Sequence, residues 1–349
     1  VTKPSSTERH GTIAGTHVRV RDVVAPIPIG EKSRLAAARS RVGHCSGGSS
    51  RCAGCCTRVR ITARRIDWIA LRAAGRLYAM STRHVALVTG AGRGIGAAIA
   101  SKLAREGAAV LVAARSQEAC IDVSREINES GGIAWPIHLD VADPESIEAA
   151  VTEARELSRE HGPIDWLVNN AGIAVSAPFL EHGRRSGVDL YEQHMSVNFH
   201  GARRMCEALV PSMIERKYGR VVHVASSAGL EGYAYAAAYS ASKHALVGYA
   251  RSAAVELAKT SVAMSVVCPH YVDSPMLEAS ISRVVAKTKK SEREARAFFE
   301  AQNPGGGLVH VGEVADVVHA LLAGDKNGAI AELVGGKASD STDARLVWR

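Results

Sequence analysis

Tyr239 and Lys243, in the run Tyr239-Ser240-Ala241-Ser242-Lys243, carry the clearest chemistry in the sequence. On a helix they stand at i and i+4 on one face, which sets a phenol beside an ammonium. A free phenol has a pKa of about 10 and a neighbouring cation favours its anion, so the pair suits proton exchange near neutral pH. Tyr and Lys four residues apart also recur in helical proteins of every kind. The pair gains meaning only from its company.

A second group lies further toward the amino terminus. An apolar run leads into Thr89-Gly90-Ala91-Gly92-Arg93-Gly94-Ile95-Gly96, and a helical stretch, Ala97–Glu106, follows. Glycines at such a turn let the backbone approach a pyrophosphate, which then faces the N–H groups and positive dipole of the helix start. Position 95 is Ile, so G-x-G-x-x-G does not fit from Gly90. G-x-x-x-G-x-G does, through Gly90, Gly94 and Gly96. The order strand, loop, helix implies dinucleotide binding. The next apolar run ends in Val112-Ala113-Ala114-Arg115-Ser116, with no acid to accept from a ribose 2′-OH. Arg115, with Arg93 as a second cation, suits a 2′-phosphate. NADP(H) is therefore preferred and NAD(H) is the alternative.

These residues need a scaffold, and the chain supplies one from Met80 onward. Val85–Thr89, Ala109–Ala113, Ala134–Leu139, Ile164–Val168, Val221–Val224 and Ala263–Val267 are predicted as buried strands, with helices beginning near Ile95, Gln117, Pro144, Leu190 and Ala237. Near-continuous apolar strands alternating with helices imply an α/β fold with a doubly wound parallel sheet, a Rossmann fold, whose ligand sits at the carboxyl ends of the strands. No internal repeat or linker breaks the chain after residue 80, so a single domain is expected over 80–337, with a frayed tail over 338–349.

Composition separates the first segment from the rest. Residues 1–79 hold 15 Lys and Arg against 4 Asp and Glu, while the remainder holds 28 against 31. The net charge of +8 thus belongs to the leader and does not argue for nucleic acid. The leader also carries Cys45, Cys52, Cys55 and Cys56 and a Gly/Ser run, and is read as a disordered extension upstream of the fold. Cys52-x-x-Cys55 has no second Cys/His pair at finger spacing, so no metal is expected. An Arg-rich, acid-poor leader also resembles an organelle transit peptide. No apolar run approaches the ~18 residues of a membrane span, and Cys120, Cys206 and Cys268 are scattered, which fits reduced thiols in a cytoplasmic protein.

Taken together with Asn169-Asn170-Ala171-Gly172, these motifs resemble the short-chain dehydrogenase/reductase family over roughly residues 84–336. The resemblance implies interconversion of a secondary alcohol and a ketone. It assigns Ser226 to polarising the carbonyl, with Ser227 as the neighbouring alternative, and Tyr239 to proton transfer. Lys243 would bind the nicotinamide ribose and lower the tyrosine pKa, and Asn198 would hold a relay water. It places Asp140 and Val141 at the adenine and Asn170, Ala171 and Gly172 beneath the cofactor. Ile95 joins the glycines, and Pro269, Val272 and Ser274 close over the nicotinamide. Two residues depart from the pattern: His270 stands where family members have Gly, and Ser274 where Thr is common. His270 is read as a tolerated variation, and His138, His194 and His223 as packing or surface residues.

The substrate is less legible. Pro275 to Gln302 is a charged amphipathic stretch, matching the family's lid, whose lysines suit an anionic tail but equally a solvated helix face. Met276-Leu277-Glu278-Ala279-Ser280 resembles bacterial members acting on acyl thioesters, which implies a 3-hydroxyacyl/3-ketoacyl thioester. The alternatives are a free cyclic or steroid-like alcohol and, in another class, a catalytically silent NADP(H)-binding regulator. The resemblance also implies a homo-oligomer, tetramer or dimer.

Overall fold

The structure, a computed structural model, describes residues 8–13, 16–21, 84–183, 187–336 and 346–348. Strands β3 (Val85–Thr89), β4 (Ala109–Ala114), β5 (Ile133–His138), β6 (Ile164–Asn169), β7 (Gly219–Val224), β8 (Val262–Pro269) and β9 (Ile330–Leu333) form a parallel sheet in the order β5-β4-β3-β6-β7-β8-β9. The order reverses between β3 and β6, and such a reversal leaves a crevice at the strand ends. The predicted strands and helix starts are met within a few residues.

The sheet is covered on both faces because its strands are apolar in both phases of the two-residue period. Ala86 and Val88 pack against Ile99 and Leu103 of helix Gly94–Arg105, with Val123 and Val318 of helices Gln117–Glu129 and Val311–Ala323 on the same face. Val85 and Leu87 point the other way, to Ile147, Met205 and Leu246 of helices Pro144–Leu157, Ala202–Glu215 and Ala237–Leu257. Each fully buried Leu or Ile stabilises the fold by about 1.5–3 kcal/mol.

Three short strands lie beyond this body: β1 (Glu8–Ile13), β2 (Thr16–Arg21) and β10 (Leu346–Trp348). β1 pairs antiparallel with β2, β2 runs parallel to β10, and β10 pairs antiparallel with β9. They fall inside the segments that composition marks as a disordered extension and a frayed tail. Thr16-His17-Val18-Arg19-Val20-Arg21 does alternate with period two, the signal that a reading by charge passes over. The remainder of both segments, including Cys52 and Cys55, lies outside the described residues. Among the described residues no helix is long and apolar enough to cross a membrane.

The lid stretch also differs in detail. It forms two helices, Pro275–Lys287 and Glu292–Gln302, parted at Ser291, which opens the second with a reciprocal cap to Glu294. Arg296 pairs with Asp273 and Glu278, and Arg283 donates to Ser280 Oγ at 2.8 Å, so part of the lid's charge is spent within the lid.

Candidate active site

Gly90 and Arg93 lie in the turn between β3 and the first helix, and Gly94, Ile95 and Gly96 are the first residues of that helix. Gly90 and Gly94 adopt φ of +65° and +58°, which side chains disfavour. At Gly96 the demand is for space: a Cβ would stand 2.2 Å from Gly90 O and 2.5 Å from Asn170 Nδ2. The turn is thus closed against the segment after β6. Thr89, which the sequence reading treated only as a strand end, is the fastener. Its Oγ1 accepts from the backbone N–H of Asn170 and of Ala171, both at 3.0 Å, and donates to Val168 O at 3.4 Å. Asn170 Nδ2 donates to Thr89 O at 3.0 Å and Gly90 O at 3.2 Å.

The other expected contacts reach the same crevice from neighbouring strands. Arg115 follows β4 and is exposed, as is Arg93, and neither forms an ion pair among the described residues. Asp140 follows β5 and accepts from Ala142 N at 2.9 Å. The buried Val141 abuts Gly201, where a Cβ would come within 2.7 Å of Val141 Cβ. Pro269 ends β8, the buried Val272 bridges to Val309, and Ser274 Oγ donates to Val272 O at 3.1 Å. Pro275 Cδ would lie 3.2 Å from a Cβ on Gly94, so this segment seats over the glycine turn. Backbone cleared of side chains, N–H groups at a helix start and two cations at the rim fit a dinucleotide phosphate.

The four residues of catalytic interest converge on the β6–β7 end of the crevice. Asn198 is buried in the π-turn Met195–Gly201, a helix irregularity common at functional sites. Its amide exchanges hydrogen bonds with Ile173, accepting from N at 2.8 Å and donating to O at 3.0 Å, and also donates to Ser242 Oγ at 3.0 Å. Ser226 caps the turn Ser227–Gly229, accepting from Ala228 N at 3.1 Å, which leaves its own proton free to donate. Gly229 lets this turn lie directly on helix Ala237–Leu257, since a Cβ there would be 2.8 Å from Lys243 O. Of the two serines, Ser226 is the one whose side chain acts on the Tyr239 phenol, lowering its pKa, while Ser227 Oγ pairs with Tyr233. Lys243 is buried, donates to Val224 O at 2.9 Å and lies 5.8 Å from the centre of the Tyr239 ring.

The electrostatics correct one expectation. Burial pushes the Tyr239 phenol above its ordinary pKa, with the Ser226 hydrogen bond opposing, and Lys243 is not among the causes. Burial also lowers Lys243 itself, to about 8. Helical spacing brings the two side chains together, and burial is the leading influence on both.

The histidines behave as packing groups. His194 Nε2 accepts from Val175 N at 3.0 Å and Nδ1 meets Leu190 O at 2.6 Å, which fixes a neutral tautomer beside Tyr239. His223, fully buried between Asn169 and Cys206, is lowered by desolvation to about 3, and His194 is lowered for the same reason. Unfolding frees both to bind protons near pH 6.5, so stability is present above that pH and is lost as pH falls toward 3. A thermal melt series is expected to show Tm falling below pH 6.5, with a shallower slope in His223→Gln. An unchanged slope would remove His223 from the account.

The matching family model is short chain dehydrogenase, over residues 84–284. The 3-oxoacyl-(acyl-carrier-protein) reductase FabG of Escherichia coli is 34% identical over 242 residues, which is 69% of this chain and 90% of that protein. A crystal structure of a single-site variant of actinorhodin polyketide ketoreductase with NADPH superposes with a TM-score of 0.68 at 34% identity, covering 74% of this chain and 98% of that one. Levodione reductase gives 0.67 at 30% identity, covering 73% and 98%.

Proposed function

Because the chain belongs to the short-chain dehydrogenase family, we propose that it is an NADP(H)-dependent oxidoreductase interconverting a 3-ketoacyl and a 3-hydroxyacyl thioester. The observation that carries this reading is the Tyr239 ring set over a buried Lys243, with Ser226 acting on its phenol, at the strand ends where the glycine turn opens. The similarity to FabG and to a polyketide ketoreductase crystallised with NADPH supports thioester and cofactor together.

The glycine turn, Asp140, Val141 and the segment Asn170-Ala171-Gly172 would hold the dinucleotide, with Pro269, Val272 and Ser274 closing over it. When bound, the nicotinamide supplies or takes up the hydride. Reduction builds negative charge on the carbonyl oxygen, and preset donors stabilise it. Ser226 would turn its proton toward that oxygen. Tyr239, kept neutral by burial, has the proton to give. Lys243 would hold the ribose, and Asn198, fixed through Ile173 and Ser242, would hold a water that returns the proton from solvent.

Arg115 distinguishes the cofactors. Charged hydrogen bonds to a 2′-phosphate contribute about 1.5–3 kcal/mol, roughly ten- to a hundredfold in affinity. Arg115→Ala is therefore expected to raise the Kd for NADPH by that factor and leave NADH nearly unchanged in fluorescence titration. An equal loss for both cofactors would place Arg115 outside the phosphate site.

The substrate assignment is tested by following NADPH absorbance against acetoacetyl-CoA, longer 3-ketoacyl thioesters, cyclic ketones and steroids. Thioester turnover is expected to dominate. Dominant turnover of cyclic ketones would move the reading toward the levodione reductase side of the family. We further infer a cytoplasmic homo-oligomer, tetramer or dimer, assembled through helix faces that include Ala237–Leu257, whose Val255 is 75% exposed in the single chain. Light scattering of the purified protein reads its mass directly.

A further inference from the structure

Behind the serine turn runs a set of polar groups with no role in the assignments above. His270, directly after β8, has a buried imidazole whose Nε2 lies 2.8 Å from Oε1 of Glu332, itself buried on β9. An acceptor-only carboxylate fixes Nε2 as a protonated nitrogen, so Nδ1 is left to face the Tyr233 hydroxyl, 3.2 Å away. That hydroxyl also accepts from Ser227 Oγ at 2.8 Å and lies 2.9 Å from Glu231 Oε1, so its one proton is shared between Nδ1 and that carboxylate. Four polar side chains therefore link the interior of β9 to the residue beside Ser226.

The backbone tightens the same connection. His270 N donates to Leu333 O at 2.9 Å, which ties the start of the 269–275 segment to β9. The Tyr233 ring stands edge-on to Tyr271 at 6.0 Å, and Tyr271 meets Phe299 of the second lid helix at 5.0 Å. Burial pushes the Tyr233 phenol above its ordinary range, so it stays a hydrogen-bond donor through neutral pH. A buried imidazole–carboxylate pair is a weak source of net stability, since desolvation offsets much of its attraction. Its better-supported use is to hold a neighbour in one geometry.

We propose that His270, held by Glu332, is a positioning residue: it fixes Tyr233, and Tyr233 fixes the Ser226–Ser227 turn at the distance from Tyr239 that carbonyl polarisation needs. The proposal rests on the reading of Ser226 and Tyr239 given above. It makes His270, a substitution within the family pattern, part of the machinery's support.

The test compares the full chain with Tyr233→Phe, His270→Ala and the double variant, with NADPH and acetoacetyl-CoA, and includes Tyr239→Phe. Misplacing a reacting group slightly costs up to about a hundredfold. Each single variant is expected to lower kcat about tenfold, with KM and NADPH Kd within about twofold, and the double variant to be no worse, because the residues act as one chain. Additive losses, a matching loss of NADPH affinity or wild-type kcat would overturn it. If His270→Ala does not fold, Tyr233→Phe decides, since its ring packing is kept. Crystal structures add a readout independent of substrate: Ser226 Oγ should move away from the Tyr239 hydroxyl in the variants, and an unmoved turn refutes the proposal. Wild-type turnover in Tyr239→Phe would sink the catalytic reading instead, whereas a dead Tyr239→Phe beside fully active Tyr233→Phe and His270→Ala would sink the positioning role alone.

Discussion

Tyr239→Phe is expected to lower kcat about a thousandfold while NADPH binding stays within about twofold. The substitution removes one hydroxyl and keeps the ring beside His194 and above Lys243. General acid catalysis contributes typically 10²–10⁴-fold, and the substitution removes the one phenol that Ser226 acts on. Single-turnover rates and fluorescence titration separate the two quantities. The raised pKa of the phenol gives the sign of the pH dependence: reduction needs the protonated form, so its rate should decline only on the alkaline side, whereas oxidation should gain there. Retention of most of the turnover by Tyr239→Phe would end the proton-transfer assignment.

Gly96→Ala is expected to abolish measurable NADPH binding and lower Tm. The new methyl would meet Gly90 O at 2.2 Å and Asn170 Nδ2 at 2.5 Å, and both belong to the closure beneath the dinucleotide. The backbone oxygen cannot swing aside as a long side chain would. Overpacking of this kind costs about 1–3 kcal/mol, a Tm drop of several degrees in a domain of this size. Gly107→Ala is the matched comparison. Its φ of +94° makes it unfavourable for Ala, yet nothing lies within 4 Å. It should cost stability by about 1 kcal/mol and leave NADPH affinity unchanged. Equal NADPH binding by both variants would show that the turn adapts.

Much of this site was legible before any coordinates. Val85–Thr89 and its glycine turn declare themselves because a fully buried strand must be apolar throughout and a turn held at positive φ favours glycine. The closeness of Tyr239 and Lys243 is legible because helical spacing is a local property. The sign of the tyrosine shift was missed because burial depends on what packs around Tyr239 from elsewhere in the chain. The Tyr233–His270–Glu332 chain was missed for a related reason: its members are 37 and 62 residues apart, and no local pattern joins them. The helix start at Ser291 is marked in the sequence by Ser291 and Glu294, three apart, within a stretch whose dominant pattern is charge. The π-turn that holds Asn198 leaves no readable mark in the sequence.

The closure around Thr89 has a bearing on how such a protein can diverge. One hydroxyl satisfies two backbone N–H groups and one carbonyl where the strand order reverses, and Asn170 satisfies two carbonyls more. The floor of the crevice is therefore complete in itself, made largely of main chain. Arg93, Arg115 and the two lid helices stand outside that closure. On the proposed reading, cofactor choice and substrate shape can therefore be altered by surface substitution without disturbing that floor.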